Sequence, residues 1–151
     1  MARFLTANDI SFFEKISSEL VDDVIETTIQ FFKLSIGESK TNLYGESLAK
    51  SYHQGVKINA VIEREDSVTN YEGFGPDTAQ NVEYRFNRHT LSTKDVYPEI
   101  GDIILHNEAY FEISNVREDQ MIGGRSGNRF SIICSTFMSR RSQLNLETRI
   151  A

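Results

Sequence analysis

The residue types that most often catalyse reactions or bind metals are few in this chain and lie far apart. The three histidines, His53, His89 and His106, fall in different segments, and Cys134 is the only cysteine. No two histidines have the i, i+4 spacing with which a helix binds zinc, and one cysteine cannot form an intrachain disulfide or a cysteine-rich metal site. Cys134 lies within an apolar run, where a small buried side chain is the usual interpretation. We therefore predict no metal site and no Cys–His nucleophile.

An acidic segment is the second place where chemistry could occur. Glu63, Glu65 and Asp66 lie at the end of a predicted strand, and Asp77 follows in the next loop. Paired carboxylates can bind Mg²⁺ or act as acid and base when a cleft shifts their pKa. A small metal-dependent hydrolase using Asp66 and Asp77 is thus one hypothesis, although charges at a strand end are more often solvated surface.

The glycine-rich segment 123–127, with Arg125 and Arg129, has the composition of a phosphate-binding loop but not its spacing. A strand rather than a helix is predicted to follow it, so we interpret it as a turn. The sequence also lacks the lipase-type, zinc-protease and dinucleotide-binding motifs. We predict neither an enzyme nor a bound cofactor.

Aromatic and basic residues alternate around Tyr84, Arg85 and Phe86, followed by Arg88, which is the best local pattern for stacking nucleic-acid bases. The same period of two places Tyr84 and Phe86 on one face with Val82, so packing in a core is the simpler interpretation. The formal net charge of −6 argues against general DNA binding, because such proteins neutralise phosphates.

One helix and about six strands would position these residues. Residues 8–21 predict an amphipathic helix capped at Asn8-Asp9, short enough to need packing against a sheet. Strands are predicted over residues 27–35, 56–64, 81–88 and 129–138, with two more forming a β-hairpin within Pro98–Val116. In this hairpin, Asn107 can adopt the positive φ of a tight turn. Since no crossover helices separate the strands, the pattern favours a mainly β fold, a small antiparallel β-barrel or sandwich with an N-terminal α-helix.

The rest of the chain is predicted to connect these elements within a single domain, residues 1–151. The connections are two long loops, a short connector and a basic C-terminal tail, over residues 37–55, 65–80, 90–97 and 139–151. Leu43, Tyr44 and Tyr52 are unusual in a free loop, so we expect the first loop to pack on its own domain or on a neighbour.

The bulk composition is that of an ordinary globular domain of 151 residues, 39% hydrophobic and 25% charged. We expect a cytoplasmic protein, because the first residues lack the apolar core of a secretory signal and no apolar run could span a bilayer. The charge is uneven, since six arginines face three acidic residues from Arg117 onward whereas the preceding part is strongly acidic. Regions of opposite charge suit head-to-tail contacts between copies, or are simply solvated surface.

Six segments resemble those of a known class of proteins. They are Leu43–Glu46, Glu63–Asp66, Phe74–Asp77, Tyr97–Ile104, Tyr110–Gln120 and Arg140–Glu147. Together they extend over most of the chain, residues 10–147, which thereby resembles virion proteins from the neck of tailed bacteriophages, where head meets tail.

The resemblance implies a non-enzymatic structural protein of the virion, a head–tail connector of the stopper or head-completion type. Such a subunit is expected to form a homo-oligomeric ring, a hexamer or dodecamer, in the host cytoplasm during viral tail assembly. Its expected partners are the portal or adaptor protein and the tail terminator or other tail proteins. The ring would help retain packaged DNA, which passes through its channel without sequence-specific binding, and no membrane is involved. A tail terminator protein and a monomeric nucleic-acid-binding β-barrel are the alternatives.

Two groups of residues are candidates for contacts in such a ring. The candidates for contacts between subunits are Leu43, Tyr44, Tyr52, Arg140, Arg141, Leu144 and Leu146. The loop over residues 65–80 is the candidate for the channel wall, with the residues Asp66, Tyr71, Phe74 and Asp77. An acidic wall would let DNA pass without adhering to it.

Overall fold

The computed structural model describes residues 6–41, 47–71, 76–119, 130–139 and 144–146. Within these ranges the chain forms two α-helices, one π-helical turn and twelve strands. Helix α1 spans Ala7–Glu19 and continues into the π-helical turn Leu20–Ile25, and helix α2 spans Arg88–Thr93.

The strands are short, and most of them pair with a neighbour in the antiparallel sense. They are β1 Thr28–Phe32, β2 Leu34–Thr41, β3 Ser47–Tyr52, β4 Val56–Asn59, β5 Val61–Arg64, β6 Val68–Tyr71, β7 Pro76–Ala79, β8 Asn81–Asn87, β9 Ile103–His106, β10 Ala109–Glu118, β11 Ser131–Ser139 and β12 Leu144–Leu146.

Seven strands form one antiparallel sheet in the order β4-β1-β9-β10-β11-β8-β5. Its two edge strands, β4 and β5, follow each other in the chain with only Ala60 between them. The backbone N–H of Ala60 donates to the carbonyl of Thr27 at 3.0 Å, just before β1 begins. One extended segment therefore supplies both ends of the sheet, which must curl back on itself to bring them together. Of the two predicted architectures the sandwich-like one fits, since β4 and β5 are not paired with each other in the described chain and close no barrel.

The inner face of the sheet follows the period of two that the sequence predicts. Val82, Tyr84 and Phe86 of β8 are buried, which confirms their predicted inward face. The ring of Tyr84 packs edge-on against that of Phe111, with 5.9 Å between ring centroids. Burial of each large side chain stabilises the fold by about 1.5–3 kcal/mol. Other members of the same core are Ile29, Phe31, Ile58, Leu91, Ile104, Ile113 and Ile132.

The hairpin of β9 and β10 confirms the clearest prediction from the sequence. Ala109 lies opposite His106, so the turn consists of Asn107 and Glu108 alone. Both turn residues have positive φ, 48° and 64°. Two consecutive left-handed residues match the twist of a β-hairpin and are typical of a type I′ turn.

The predicted long loops both contain strands, so these two predictions are wrong. The segment 37–55 holds part of β2 and all of β3, which belong to a three-stranded sheet with β12. The segment 65–80 holds β6 and β7, which form a separate antiparallel hairpin. Backbone pairing stabilises these strands, whereas their sequences are rich in turn-forming residues and lack a period-two apolar pattern. The tail contributes β12, parallel to β3, and the connector 90–97 begins within α2.

Helix α1 is where predicted, but its cap and its packing differ from the prediction. Thr6, not Asn8 or Asp9, is the N-cap, and Asp9 completes a capping box in which its carboxylate accepts from the Thr6 N–H at 2.9 Å. Hydrogen bonding to Thr6 holds the pKa of Asp9 below its ordinary value. No residue of α1 is buried, so the expected packing of its apolar face against the sheet is wrong.

Candidate assembly surfaces

The histidines and the cysteine, which could catalyse reactions or bind metals, lie apart in the structure. His53 follows β3 and is exposed, His89 is exposed in α2, and His106 is half-buried at the end of β9. Cys134 is fully buried in β11, and burial raises the pKa of its thiol to about 12, with a smaller contribution from the Asp102 carboxylate. A thiol held in its protonated form is a poor nucleophile, so Cys134 serves as a core residue.

His106 has the most specific environment of the three histidines. Its Nδ1 lies 3.1 Å from Nη2 of Arg64, and its ring packs edge-on against Tyr84 at 6.0 Å between centroids. Because a guanidinium can only donate, the neutral ring accepts this hydrogen bond. Burial lowers the pKa of His106, and the nearby Arg64 charge lowers it further. The cluster links β5 to the β9–β10 hairpin.

The described side chains of the acidic segment at the end of β5 do not gather into a metal site. Glu63, Glu65 and Asp66 are exposed, and Glu65 accepts a hydrogen bond from Asn81 at 3.2 Å. Asp77 lies in β7 opposite Asn70, and its side chain is outside the described part of the structure. Among the described residues, no group of three or more His, Cys, Asp or Glu side chains could hold a metal ion.

The predicted base-stacking pattern does not form a surface. Tyr84 and Phe86 are fully buried in the core, so neither ring is available to a nucleic acid. Burial also raises the pKa of the Tyr84 hydroxyl above its ordinary value. The arginine that alternates with them, Arg85, lies 3.8 Å from the carboxylate of Asp119.

Of the residues predicted to contact other subunits, Tyr52 belongs to the subunit core. It is fully buried in a second cluster with Phe32 and Ile103. Lys50, two residues earlier, forms a 2.6 Å ion pair with Glu112, and this contact links β3 to β10. Leu144 and Leu146 lie in β12 beside β3, but their side chains are outside the described part of the structure. Leu43, Tyr44, Arg140 and Arg141 fall outside the described residues, as does the glycine-rich segment 123–127.

The hairpin of β6 and β7 has few contacts with the other described elements. Among the described elements its two strands pack chiefly against each other. Asp66 is exposed at its base, and Phe74, which lies between the two strands in the sequence, is outside the described residues. Tyr71, the last described residue before the tip, is 81% exposed, and Val68 is 57% exposed. A two-stranded hairpin is marginally stable alone, and this one presents two apolar side chains to solvent.

A second uncovered surface lies along α1 and the π-helical turn. Six of its large apolar side chains are between 39% and 73% exposed, namely Phe12, Phe13, Ile16, Leu20, Val24 and Ile25, whereas Val21 is buried. Together they present on the order of 500 Å² of apolar surface, which is near the upper end for the largest patch on a monomeric protein. Sequence periodicity finds this helix but cannot show that the sheet leaves it uncovered.

Part of this apolar surface borders a groove, here called the α1 groove. Its volume is about 520 Å³, and it separates α1 from one end of strands β5, β8 and β11. Phe13, Ile16 and Leu20 line its helical side, and Val61 and Asn87 line the side of the sheet. The segments that line the groove are distant in the sequence, so the groove cannot be predicted before the topology is known.

The amide nitrogen of Asn87, a residue beside the α1 groove, has no acceptor among the described residues. Its Oδ1 caps helix α2 by accepting from the His89 N–H at 3.4 Å. Its Nδ2 is buried and has no hydrogen-bond partner among the described residues. A buried donor without an acceptor costs free energy, and because this nitrogen is enclosed, a ligand in the groove could not contact it without a local rearrangement.

The sequence predicts a basic region from Arg117 onward, after a strongly acidic one, and the structure describes only part of the basic region. Arg117, at the start of the basic region, forms two 3.0 Å contacts with the Glu83 carboxylate, so its charge is neutralised within the subunit. The other five arginines of this region fall outside the described residues. In the described chain, no helix combines the length and the apolar character needed to cross a membrane.

Comparison with known proteins gives a weak structural similarity. No family model and no curated protein matches the chain. A solved structure, a chain of the "Virion of native gene transfer agent (GTA) particle", is similar at 9% sequence identity with a TM-score of 0.48. The similarity covers 74% of this chain and 93% of that chain. At this identity and TM-score it assigns no function.

Proposed function

We propose that the protein is a non-enzymatic structural subunit of a phage-type virion, forming a ring in the neck that joins the portal or adaptor to the tail. The ring, a hexamer or dodecamer, would assemble in the host cytoplasm and help retain packaged DNA. The segments that resemble neck proteins support this position.

The observation that carries the proposal is the uncovered apolar surface of α1 and the π-helical turn. An isolated helix of this length is marginal in water, and α1 has no buried residue to stabilise it within the subunit. A standard protein interface buries about 800 Å² on each partner, so the exposed side chains would supply more than half of that area. Such a surface suits a subunit that completes its packing in an assembly.

The β6–β7 hairpin is the second feature that supports an assembly subunit. It leaves the sheet after Arg64 and returns at Asn81, so it projects from one end of the β5–β8 pair. In a ring, a hairpin in this position could reach a neighbouring subunit or face the channel. The acidic side chains at its base, Glu65 and Asp66, would repel DNA rather than bind it.

The test is the oligomeric state of the purified protein, as measured by native mass spectrometry and imaged by negative-stain electron microscopy. We expect rings, or a monomer that enters rings only in the presence of the portal or adaptor protein. Binding to tail-tube protein in place of the portal side would indicate a tail terminator. A stable monomer that binds DNA tightly at physiological salt would contradict the proposal, and so would stabilisation by Mg²⁺ or Mn²⁺ with hydrolytic activity.

A further inference from the structure

Helix α1 and the π-helical turn together form what we call the helical arm, residues 7–25. Among the described elements, α1 packs chiefly against the π-helical turn and helix α2, and it has few contacts with the strands. All residues of the arm are described, and of its side chains only that of Val21 is buried. The arm supplies no side chain to the two hydrophobic core clusters. Detaching the arm would expose little additional apolar surface, so the hydrophobic effect holds it only weakly.

The arm has little means of staying helical once it is detached. An isolated helix of 13 residues is marginal in water, and the capping box of Thr6 and Asp9 stabilises only its first turn. At the other end, the last turn of α1 has no basic side chain, and Asp22 and Asp23 follow it with negative charge that opposes the helix dipole. A detached arm would therefore lose its helical structure rather than move as a rigid body.

One polar cluster, here called the Asp22 cluster, joins the arm to the rest of the subunit. Oδ2 of Asp22 accepts hydrogen bonds from Thr90 Oγ1 of α2 at 3.1 Å and from Ser18 Oγ at 3.2 Å. Nδ2 of Asn59, at the end of β4, lies 3.4 Å from the Asp22 carbonyl oxygen and 3.5 Å from its Oδ1. Thr28 of β1 orients this amide, because its hydroxyl donates to Oδ1 of Asn59 at 2.8 Å. Asp22 thus connects the arm to α2 and to the β1–β4 pair.

The chain leaves the arm through a residue in an unfavourable conformation. Glu26 has φ 48° and ψ 32°, the left-handed region that residues with a side chain seldom adopt. Its N–H donates to the carbonyl of Val21 at 3.2 Å, which is the i to i+5 bond of a π-helical turn. Opening the arm frees Glu26 from this conformation, so the backbone here favours the open state.

We propose that the helical arm is an order–disorder element, which opens and unfolds while the main sheet stays folded, and that Asp22 holds it in the closed state. The Asp22 cluster and the burial of Val21 oppose the opening, whereas chain entropy and the release of Glu26 favour it. The inference goes beyond the proposed function, because it concerns the isolated subunit and requires neither a ring nor a partner. Any surface that binds the closed arm would stabilise it by mass action.

Hydrogen–deuterium exchange of dilute, monomeric protein tests the opening. Amides of α1 should exchange at least about a hundredfold faster than those of β8 and β10, under conditions in which the sheet stays folded. Asp22→Ala should speed exchange in α1 a further tenfold or so, since it removes hydrogen bonds to a charged group, and should leave β8 and β10 unchanged. Asp23→Ala is the matched control, because it removes an exposed carboxylate from the same turn, and should not speed exchange.

Two outcomes would overturn the inference. Equal protection of α1 and the sheet in the wild-type protein would show that the arm unfolds only with the whole domain. Equal exchange in Asp22→Ala and Asp23→Ala would show that the Asp22 cluster does not hold the arm closed. Neither outcome bears on the ring, which is tested by the oligomeric state, and a protein that forms no rings can still show the predicted exchange.

Thr90→Val tests the same contact from the side of α2. It keeps the branched shape and removes the hydroxyl that donates to Asp22, so it should also speed exchange in α1. Adding Thr90→Val to Asp22→Ala should have little further effect, because both variants remove one hydrogen bond. Fully additive effects in the double variant would show that the two side chains act independently and would overturn the role of Asp22, and circular dichroism shows that each variant is folded.

Discussion

The carboxylate of Asp102 accepts a hydrogen bond from the backbone N–H of Leu34 at 2.8 Å, and so joins the turn before β9 to the start of β2. Its other oxygen accepts from the Glu99 N–H at 2.8 Å and from Lys33 Nζ at 3.2 Å. Asp102 is 1% exposed, and this burial raises its pKa, while the hydrogen bonds and the Lys33 charge oppose the rise. A buried carboxylate of this kind serves structure, because its acceptors are already occupied.

Asp102→Ala should therefore lower the free energy of unfolding by about 1–3 kcal/mol, since it leaves the partly buried N–H groups of Leu34 and Glu99 without this acceptor. Urea unfolding followed by circular dichroism measures the change. Asp66→Ala removes an exposed carboxylate and is the matched control, with an expected change within about 0.5 kcal/mol. Equal stabilities of the two variants would show that the hydrogen bonds of Asp102 contribute nothing.

His106 should make stability depend on pH. Since burial and Arg64 both lower its pKa, the folded state binds the proton less readily than the unfolded chain does. The contribution to stability is complete above the unfolded pKa of about 6.5 and is lost as the pH falls through that value toward the lower folded pKa. His106→Gln should weaken this loss, as measured by thermal denaturation across the range.

A second variant isolates the contribution of the Arg64 charge to the lowered pKa of His106. Arg64→Met should raise the pKa of His106, as followed by NMR titration of the imidazole ring, because it removes the neighbouring positive charge. The burial contribution remains, so the pKa should stay below its ordinary value. An unchanged titration would mean that Arg64 and His106 do not interact in solution.

The turn between β9 and β10 should accept a stabilising substitution. Glu108 has a φ of 64°, a conformation that glycine adopts without steric cost, and Asn-Gly is the preferred pair for this turn. Glu108→Gly should raise the free energy of unfolding by about 0.5–1 kcal/mol in chemical denaturation. Glu63→Gly, in strand β5, is the contrasting control and should destabilise the protein. A loss of stability for Glu108→Gly would contradict the turn type.

Truncation should separate folding from assembly. A chain that ends at Ser139 loses β12, the strand parallel to β3, but keeps all seven strands of the main sheet. We expect it to retain its β-type circular dichroism and to lose ring formation. A chain that ends at Glu147 keeps β12 and is the control, which should still assemble. Normal assembly of the shorter chain would remove the tail from the interface.

The parts of the fold that the sequence predicts are those with a repeating pattern. The alternation around Tyr84 places three side chains in the core, and Asn107 marks the turn because few residues adopt positive φ. Strands without apolar alternation, such as β6, cannot be recognised in the sequence. The backbone hydrogen bonds that pair them do not depend on residue type, so they leave no pattern of residues. The burial of Asp102 depends on contacts with Lys33 and Leu34, which are distant in sequence. The α1 groove is invisible for the same reason, because its walls meet only after folding.

The single segment that forms both β4 and β5 has a consequence for folding kinetics. If this segment detaches, the pairs that β4 makes with β1 and β5 makes with β8 are lost together. Detachment of the whole segment therefore breaks two ladders at once, one at each edge of the main sheet. Since most of its pairings join distant parts of the chain, we expect slow, highly cooperative folding with the closing segment ordered late.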